Sequence, residues 1–124
     1  MEETSEKETF AESLKTELDG FTGTTKYHRN WLGMHYTDGI EHLANRARAY
    51  WLIDAIASWQ YRMKSIDLQI WELAVAPDCS AHLIGYIASV DEAIVQQKID
   101  YTDFPLKSIE LWVEGGVLFL PSEY

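Results

Sequence analysis

Cysteine is almost missing from this sequence. Cys79 is the only one in 124 residues. An intrachain disulfide framework is therefore excluded, as is any zinc or iron–sulfur centre that needs several thiolates. A single thiol fits a reducing compartment, and a cytoplasmic location is the expectation. Positive charge is scarce too: ten Lys and Arg stand against twenty Asp and Glu, a formal net charge of −10. A surface this acidic repels phosphate, which disfavours general nucleic-acid binding. No apolar run reaches the ~20 residues of a membrane span; the most apolar stretch, residues 49–57, is interrupted by Asp54. The start is acidic and lacks the apolar core of a secretory leader. Phosphate-cradling glycine patterns are missing as well. Phe21-Thr22-Gly23-Thr24-Thr25 lacks the Lys-Ser/Thr ending of a P-loop, and no dinucleotide fingerprint occurs. Ser58 and Ser80 have no nucleophile-elbow context. No cofactor is expected.

What is present is a chain rich in aromatics, at 13% of residues with five Trp and seven Tyr. Its length suits one domain, residues 1–124, with a well-filled core. The charge is uneven. Residues 1–25 hold seven acids against Lys7 and Lys15, and residues 65–124 hold ten against Lys98 and Lys107. Between them, Lys26, Arg29, Arg46, Arg48, Arg62 and Lys64 outnumber Asp38, Glu41 and Asp54. The acidic ends suit solvated faces or an electronegative docking surface, and the middle offers a local basic strip.

Residues 1–20 read as an acidic amphipathic helix. Ser5 to Glu8 forms a capping-box pattern, Phe10, Leu14 and Leu18 supply a narrow apolar stripe, and Asp19-Gly20 ends it. Residues 21–64 read as a loop or hairpin, at 26–36, followed by one long core helix. Asp38 is the expected N-cap with Glu41 completing its box. Ile40, Leu43, Ala47, Tyr50, Trp51, Ala55 and Trp59 then recur at helical spacing to Lys64. From Ala49 onward this helix is apolar nearly all round, so it must be covered on several sides.

Residues 65–124 read as strands: 68–75, 82–88, 94–101, 109–113 and 117–120. Pro77-Asp78 and Gly115-Gly116 mark turns. Helices first and strands after argue for an α+β fold, with the two helices packed on an antiparallel meander of four to five strands.

Three carboxylates are candidates for chemistry. Asp54 lies on the apolar helix, where a buried carboxylate must be paired, hydrogen-bonded or protonated. It is either an acid/base or ligand-binding group, or, the favoured reading, a structural one satisfied by tyrosine, backbone or arginine. Asp38 and Asp103 end the two copies of Tyr-Thr-Asp, at 36–38 and 101–103. They either share a cleft with Asp54 or act as local caps and turns. His28, His35 and His42 are spaced seven apart, but Gly33 and Gly39 interrupt the stretch and no metal-spacing motif appears, so no metal site is expected. Cys79 has His82 nearby but sits beside Asp78, an electronegative setting unsuited to a reactive thiolate.

Phe21-Thr22-Gly23-Thr24, Tyr36-Thr37-Asp38-Gly39, the run Tyr50 to Ala57, Tyr101-Thr102-Asp103-Phe104-Pro105 and Leu120 to Tyr124 together resemble a family of small uncharacterised proteins of bacteria, phages and plasmids, a domain of unknown function. The resemblance runs from Phe21 to the end. It implies an accessory, mobile-element setting and transfers no catalytic residue. Three functions are therefore weighed. First is a non-enzymatic protein-binding or inhibitor module, acting on a host nucleic-acid-handling or defence system through the acidic residues Glu2, Glu3, Glu6, Glu8 and Glu12. The first alternative is a small enzyme or ligand-binding domain using Asp38, Asp54 and Asp103. The second is a weak nucleic-acid binder through Lys26, Arg29, Arg46, Arg48, Arg62 and Lys64.

Overall fold

A computed structural model describes residues 2–63 and 65–124, with side chains from Glu8 onward. The side chains of Glu2, Glu3 and Glu6, and Lys64 entirely, lie outside the described residues. In chain order the elements are α1 (Glu2–Asp19), β1 (His28–Arg29), β2 (His35–Tyr36), α2 (Asp38–Ala47), α3 (Tyr50–Ser58), a 3-10 turn (Gln60–Arg62), β3 (Leu68–Val75), β4 (Ala81–Ile87), β5 (Glu92–Ile99), β6 (Ser108–Glu114), β7 (Val117–Phe119) and a last 3-10 turn (Pro121–Glu123). The class is α+β. No helix among the described residues is long and apolar enough to cross a membrane.

The expected single core helix is two helices. They meet at Arg48, whose backbone is left-handed at φ 53°, ψ 46° and whose N–H bonds to the Ala44 carbonyl. The cause is a conflict of faces. At ~100° per residue, Leu52, Ile53 and Ile56 would sit roughly half a turn from Ile40, Leu43 and Ala47 on one straight helix. All six are buried, so the chain must turn to bring both faces to the core. A left-handed arginine costs about 1 kcal/mol, less than exposing even one of these large side chains. The break also lifts Asp54 out of the core, to a half-buried position.

α2 begins one residue earlier than expected. Thr37, not Asp38, is its N-cap, accepting from the Ile40 N–H. The helical backbone of α1 already includes Ser5, so that residue is not its cap. α1 docks on α2 through Glu17, whose carboxylate meets His42 Nε2 at 2.6 Å and Arg46 Nε at 3.1 Å. The Arg46 guanidinium, first, and then His42 hold the Glu17 carboxyl below the usual glutamate range. Arg46 also lies over the Phe10 ring, 4.9 Å from its centre.

The sheet is larger than a meander. Its order is β1-β2-β7-β6-β3-β4-β5, seven strands among the described residues. β3, β4 and β5 do run as consecutive antiparallel hairpins. Residues 100–107 then cross back, and β6 pairs with the far side of β3. This crossing is possible because Thr102, Phe104 and Leu106 bury their side chains, while the backbone bonds to the β3–β4 turn, Thr102 N–H to the Cys79 carbonyl at 2.8 Å. β2 adds parallel to β7, and β1 pairs with β2 to form the hairpin allowed for at 26–36.

One sheet face carries the core. Gln69, Trp71 and Leu73 of β3, Leu83 and Gly85 of β4, Val95 of β5, and Leu111 and Val113 of β6 are buried there. The amide of Gln69 is 4% exposed yet satisfied. It exchanges two hydrogen bonds with Gln60, each 2.9 Å, and accepts a third from Trp71 Nε1. That network fixes the turn after α3 onto β3. Gly85 sits directly across from Trp71, and a Cβ there would lie 2.8 Å from the indole ring. Gly85→Ala is expected to cost about 1–3 kcal/mol of stability through overpacking, read as a lower urea midpoint with an unchanged slope.

Candidate functional site

The three candidate aspartates fall into two places. Asp38 lies at the start of α2, in a knot of short polar contacts. Its Oδ2 accepts from the Thr25 N–H at 3.1 Å and the Thr25 hydroxyl at 3.0 Å. Its Oδ1 meets His28 Nε2 at 3.0 Å, and its own N–H donates to Thr24 Oγ1. The His28 hydrogen bond, then the Thr25 backbone N–H, pull the Asp38 carboxyl from 3.8 down to about 2. His28 stacks on Tyr36, ring centres 5.3 Å apart. Tyr36 is buried, and that burial pushes its phenol up to about 12, so it stays protonated.

Residues from the far end of the chain complete this knot. Glu123 takes the Thr37 hydroxyl at 2.6 Å, the Gly39 N–H at 3.2 Å and the Leu120 N–H at 2.9 Å. The carboxylate sits against the first turn of α2, where backbone donors are free and the helix dipole favours an anion. Gly39 permits the approach, since a Cβ there would lie 2.6 Å from Glu123 Oε1. The result is three chain segments tied at one helix start. Its groups are paired with one another, which makes it a fastening rather than a reactive centre. Tyr27 and Tyr124 flank a hollow of about 400 Å³ beside it.

Asp54 and Asp103 share a different site, an open groove of about 830 Å³ between α3 and the β5 edge. Trp31, Trp51 and Tyr101 supply its aromatic walls, and Arg48 and Lys98 its cations. Asp54 accepts from Asn30 Nδ2 at 2.9 Å and Trp31 Nε1 at 3.1 Å. The expected partners, tyrosine, backbone or arginine, are thus replaced by an amide and an indole from the β1–β2 turn. Asn30 organises that turn by accepting from the N–H groups of Leu32 and Met34. Trp31 is 79% exposed and Tyr101 71%, so two large aromatic rings stand in solvent at the groove rim. Asp103 is exposed, and the side chains of Asp103, Arg48 and Lys98 make no hydrogen bond or ion pair among the described residues.

The two Tyr-Thr-Asp copies therefore do not line one cleft. Both threonines serve local backbone: Thr37 caps α2, and Thr102 accepts from the Phe104 N–H at 3.1 Å. Asp38 stays at the fastening while Asp103 reaches the groove. The histidines separate as well, His28 to Asp38, His42 to Glu17 and His35 to the exposed side of β2. No group of three metal-ligating side chains occurs among the described residues. Of the basic candidates, Arg46 is engaged by Glu17 and Arg48 lines the groove. Lys26, Arg29 and Arg62 are exposed on a loop, a strand and the 3-10 turn. Glu8 and Glu12 are exposed on α1. Cys79 is half-buried in the β3–β4 turn at φ 68°, beside an Asp78 carboxylate occupied by Ser80. Trp31, Tyr101, Asn30 and Glu123 are the residues that sequence reasoning passed over. The Asn30 position two before Leu32, in a turn with Gly33, carried a readable signal for a side-chain-to-backbone bond.

A family model described as a family of unknown function (DUF6876) matches residues 12–124. Comparison with curated proteins and with solved structures finds no significant match.

Three substitutions test the fastening. Glu123→Ala removes an acceptor from three donors and is expected to cost about 2 kcal/mol, with Glu123→Gln less harmful, by urea unfolding monitored through tryptophan fluorescence. Asp38 has a folded value below its ordinary one, so its contribution is present above about pH 4 and lost as pH falls toward about 2. Asp38→Asn is therefore expected to lose less stability than the wild type between those pH values, measured by the same unfolding curves.

Proposed function

The chain belongs to this family of unknown function, which brings no activity with it, and we propose from the groove itself that it is a non-enzymatic module that binds another protein. The observation that carries this is the pair of rim aromatics. Trp31 and Tyr101 are 79% and 71% exposed on either side of a preformed groove. Large aromatic side chains beside a concave surface are the commonest anchors of protein interfaces. The Asp54 bond holds the Trp31 indole in place, so little rotamer freedom is lost when a partner covers it. Arg48, Lys98 and Asp103 give the rim charge of both signs, which suits orientation of a partner more than raw affinity. The acidic remainder of the surface suits competition with phosphate for a partner's basic site, the action of an inhibitor carried by a mobile element.

A second reading places a small ligand in the same groove, favoured by the presence there of Asp54 and Asp103 together. Asp38 belongs to neither reading, because its carboxylate is committed to Thr25 and His28. In the protein-binding reading, Trp31→Ala and Tyr101→Ala each weaken partner capture by about 2 kcal/mol, roughly thirtyfold, while far-ultraviolet circular dichroism stays unchanged. A partner is first isolated from nuclease-treated host lysate and its affinity for each variant then measured with purified proteins. Equal affinity for wild type and both variants would remove the groove from the interface.

A further inference from the structure

The helices cover one face of the sheet and leave the other open. On the open face the register builds rows across the strands. One row sets Trp112 of β6 beside Ile70 of β3 and Tyr86 of β4, with Phe119 of β7 at its end. All but Phe119 are half-buried, and Phe119 is buried against Trp112 and Tyr124. The next row sets Glu110 of β6 directly across from Glu72 of β3, then Ile84 of β4 and Gln96 of β5. Glu114 flanks the aromatic row on the other side, opposite Leu68.

Two carboxylates directly opposite on one face of a sheet repel each other. Here they occupy the middle of the sheet, not its margin. Glu110 accepts from Trp112 Nε1 at 2.8 Å, which places the carboxylate against the edge of the indole ring. Glu72 is half-buried, and its carboxylate makes no hydrogen bond or ion pair among the described residues. The only lysine or arginine that the register places on this face of the long strands β3 to β6 is Lys98, two strands from Glu72 and one row away. No cation of these strands thus stands against the two carboxylates, beside a half-exposed aromatic row whose Trp112 also meets the Tyr124 ring.

We infer that this open sheet face is a docking surface for a basic, arginine-bearing segment of a partner protein. A guanidinium placed between Glu72 and Glu110 neutralises both and can bond each carboxylate through its fork of N–H groups, while its plane lies against Trp112. The apolar parts of the segment cover Ile70, Ile84 and Tyr86. A second copy of this chain brings the wrong charge, since the same face would meet the same carboxylates. This surface lies across the sheet from the core and shares with the α3–β5 groove only Lys98 of the edge strand, which the inference does not use, so either can fail without the other.

The test uses the whole chain, labelled with nitrogen-15, titrated with a nine-residue peptide of alternating Arg and Leu at low salt. Expected are shifts in the Trp112 indole and in the amides of Ile70, Glu72 and Tyr86. The double variant E72Q/E110Q is expected to weaken binding at least tenfold, while a control of equal charge change, D91N/E92Q at the junction of the β4–β5 turn and β5, changes it less than twofold. The amide oxygen that E110Q introduces can still accept from the Trp112 indole, so the local structure is kept. Unfolding curves of the free double variant are expected to match or exceed the wild type as the repulsion is removed. The inference is overturned if the control weakens binding as much as the double variant, which means general electrostatics. It is equally overturned if the shifts map to the groove or to α1, or if the Trp112 signal moves with protein concentration alone, which means self-association.

Discussion

Two apolar faces on opposite sides of one helical segment have to reach the same sheet. That constraint shapes the molecule. Ile40, Leu43 and Ala47 point one way and Leu52, Ile53 and Ile56 the other, and only a break at Arg48 lets both be buried. The break sets the direction of α3, which in turn brings Asp54 out beside the β1–β2 turn and opens the groove against β5. A straight helix would have buried Asp54 at a cost of several kcal/mol unless it took up a proton. The left-handed Arg48 therefore serves the core and the surface at once.

Long-range polar contacts do the rest of the positioning. Two very short strands at the sheet's edge, β1 and β2, have little cohesion of their own. Asn30 and Trp31 bond to Asp54, His28 bonds to Asp38, and Thr37 bonds to Glu123. Together these bonds join the hairpin region to three parts of the fold: α3, α2 and the last 3-10 turn. The hairpin is held by what surrounds it, and the exposed ring of Trp31 gains a fixed position from the same contacts.

Much of the backbone was legible from residue pattern. The run Leu68 to Val75 alternates and forms a strand over those residues, and Gly115-Gly116 lies at the turn it signals, with φ of 60° and 78°. The α+β class followed from the order of helical and strand segments. The return of β6 to β3 was not legible, because strand pairing is decided by which faces complement each other and not by sequence order. Nor was the break at Arg48, which has neither glycine nor proline beside it; only the half-turn change in the apolar face hints at it. Asp54 and Asp103 were legible as candidates and do share a site. Asp38 was misplaced because its partners, Thr25 and His28, are set by a loop whose path no periodicity describes. The rim aromatics were unreadable, since an exposed tryptophan and a core tryptophan look alike in a sequence.

The bond between Thr37 and Glu123 spans 86 positions, and β2 finds its parallel neighbour only in β7. A chain made from its N-terminus has α2 in hand long before Glu123, the acceptor for that helix's first turn, is joined. Until then the first-turn donors of α2 have only water or Thr37, and the inner edge of β2 stays unpaired. Closure of this region thus waits until β7 and Glu123 have been made, and the many non-local pairings of the sheet make that step slow relative to helix formation. During that interval the first turn of α2 and the inner edge of β2 stand open to other donors and acceptors.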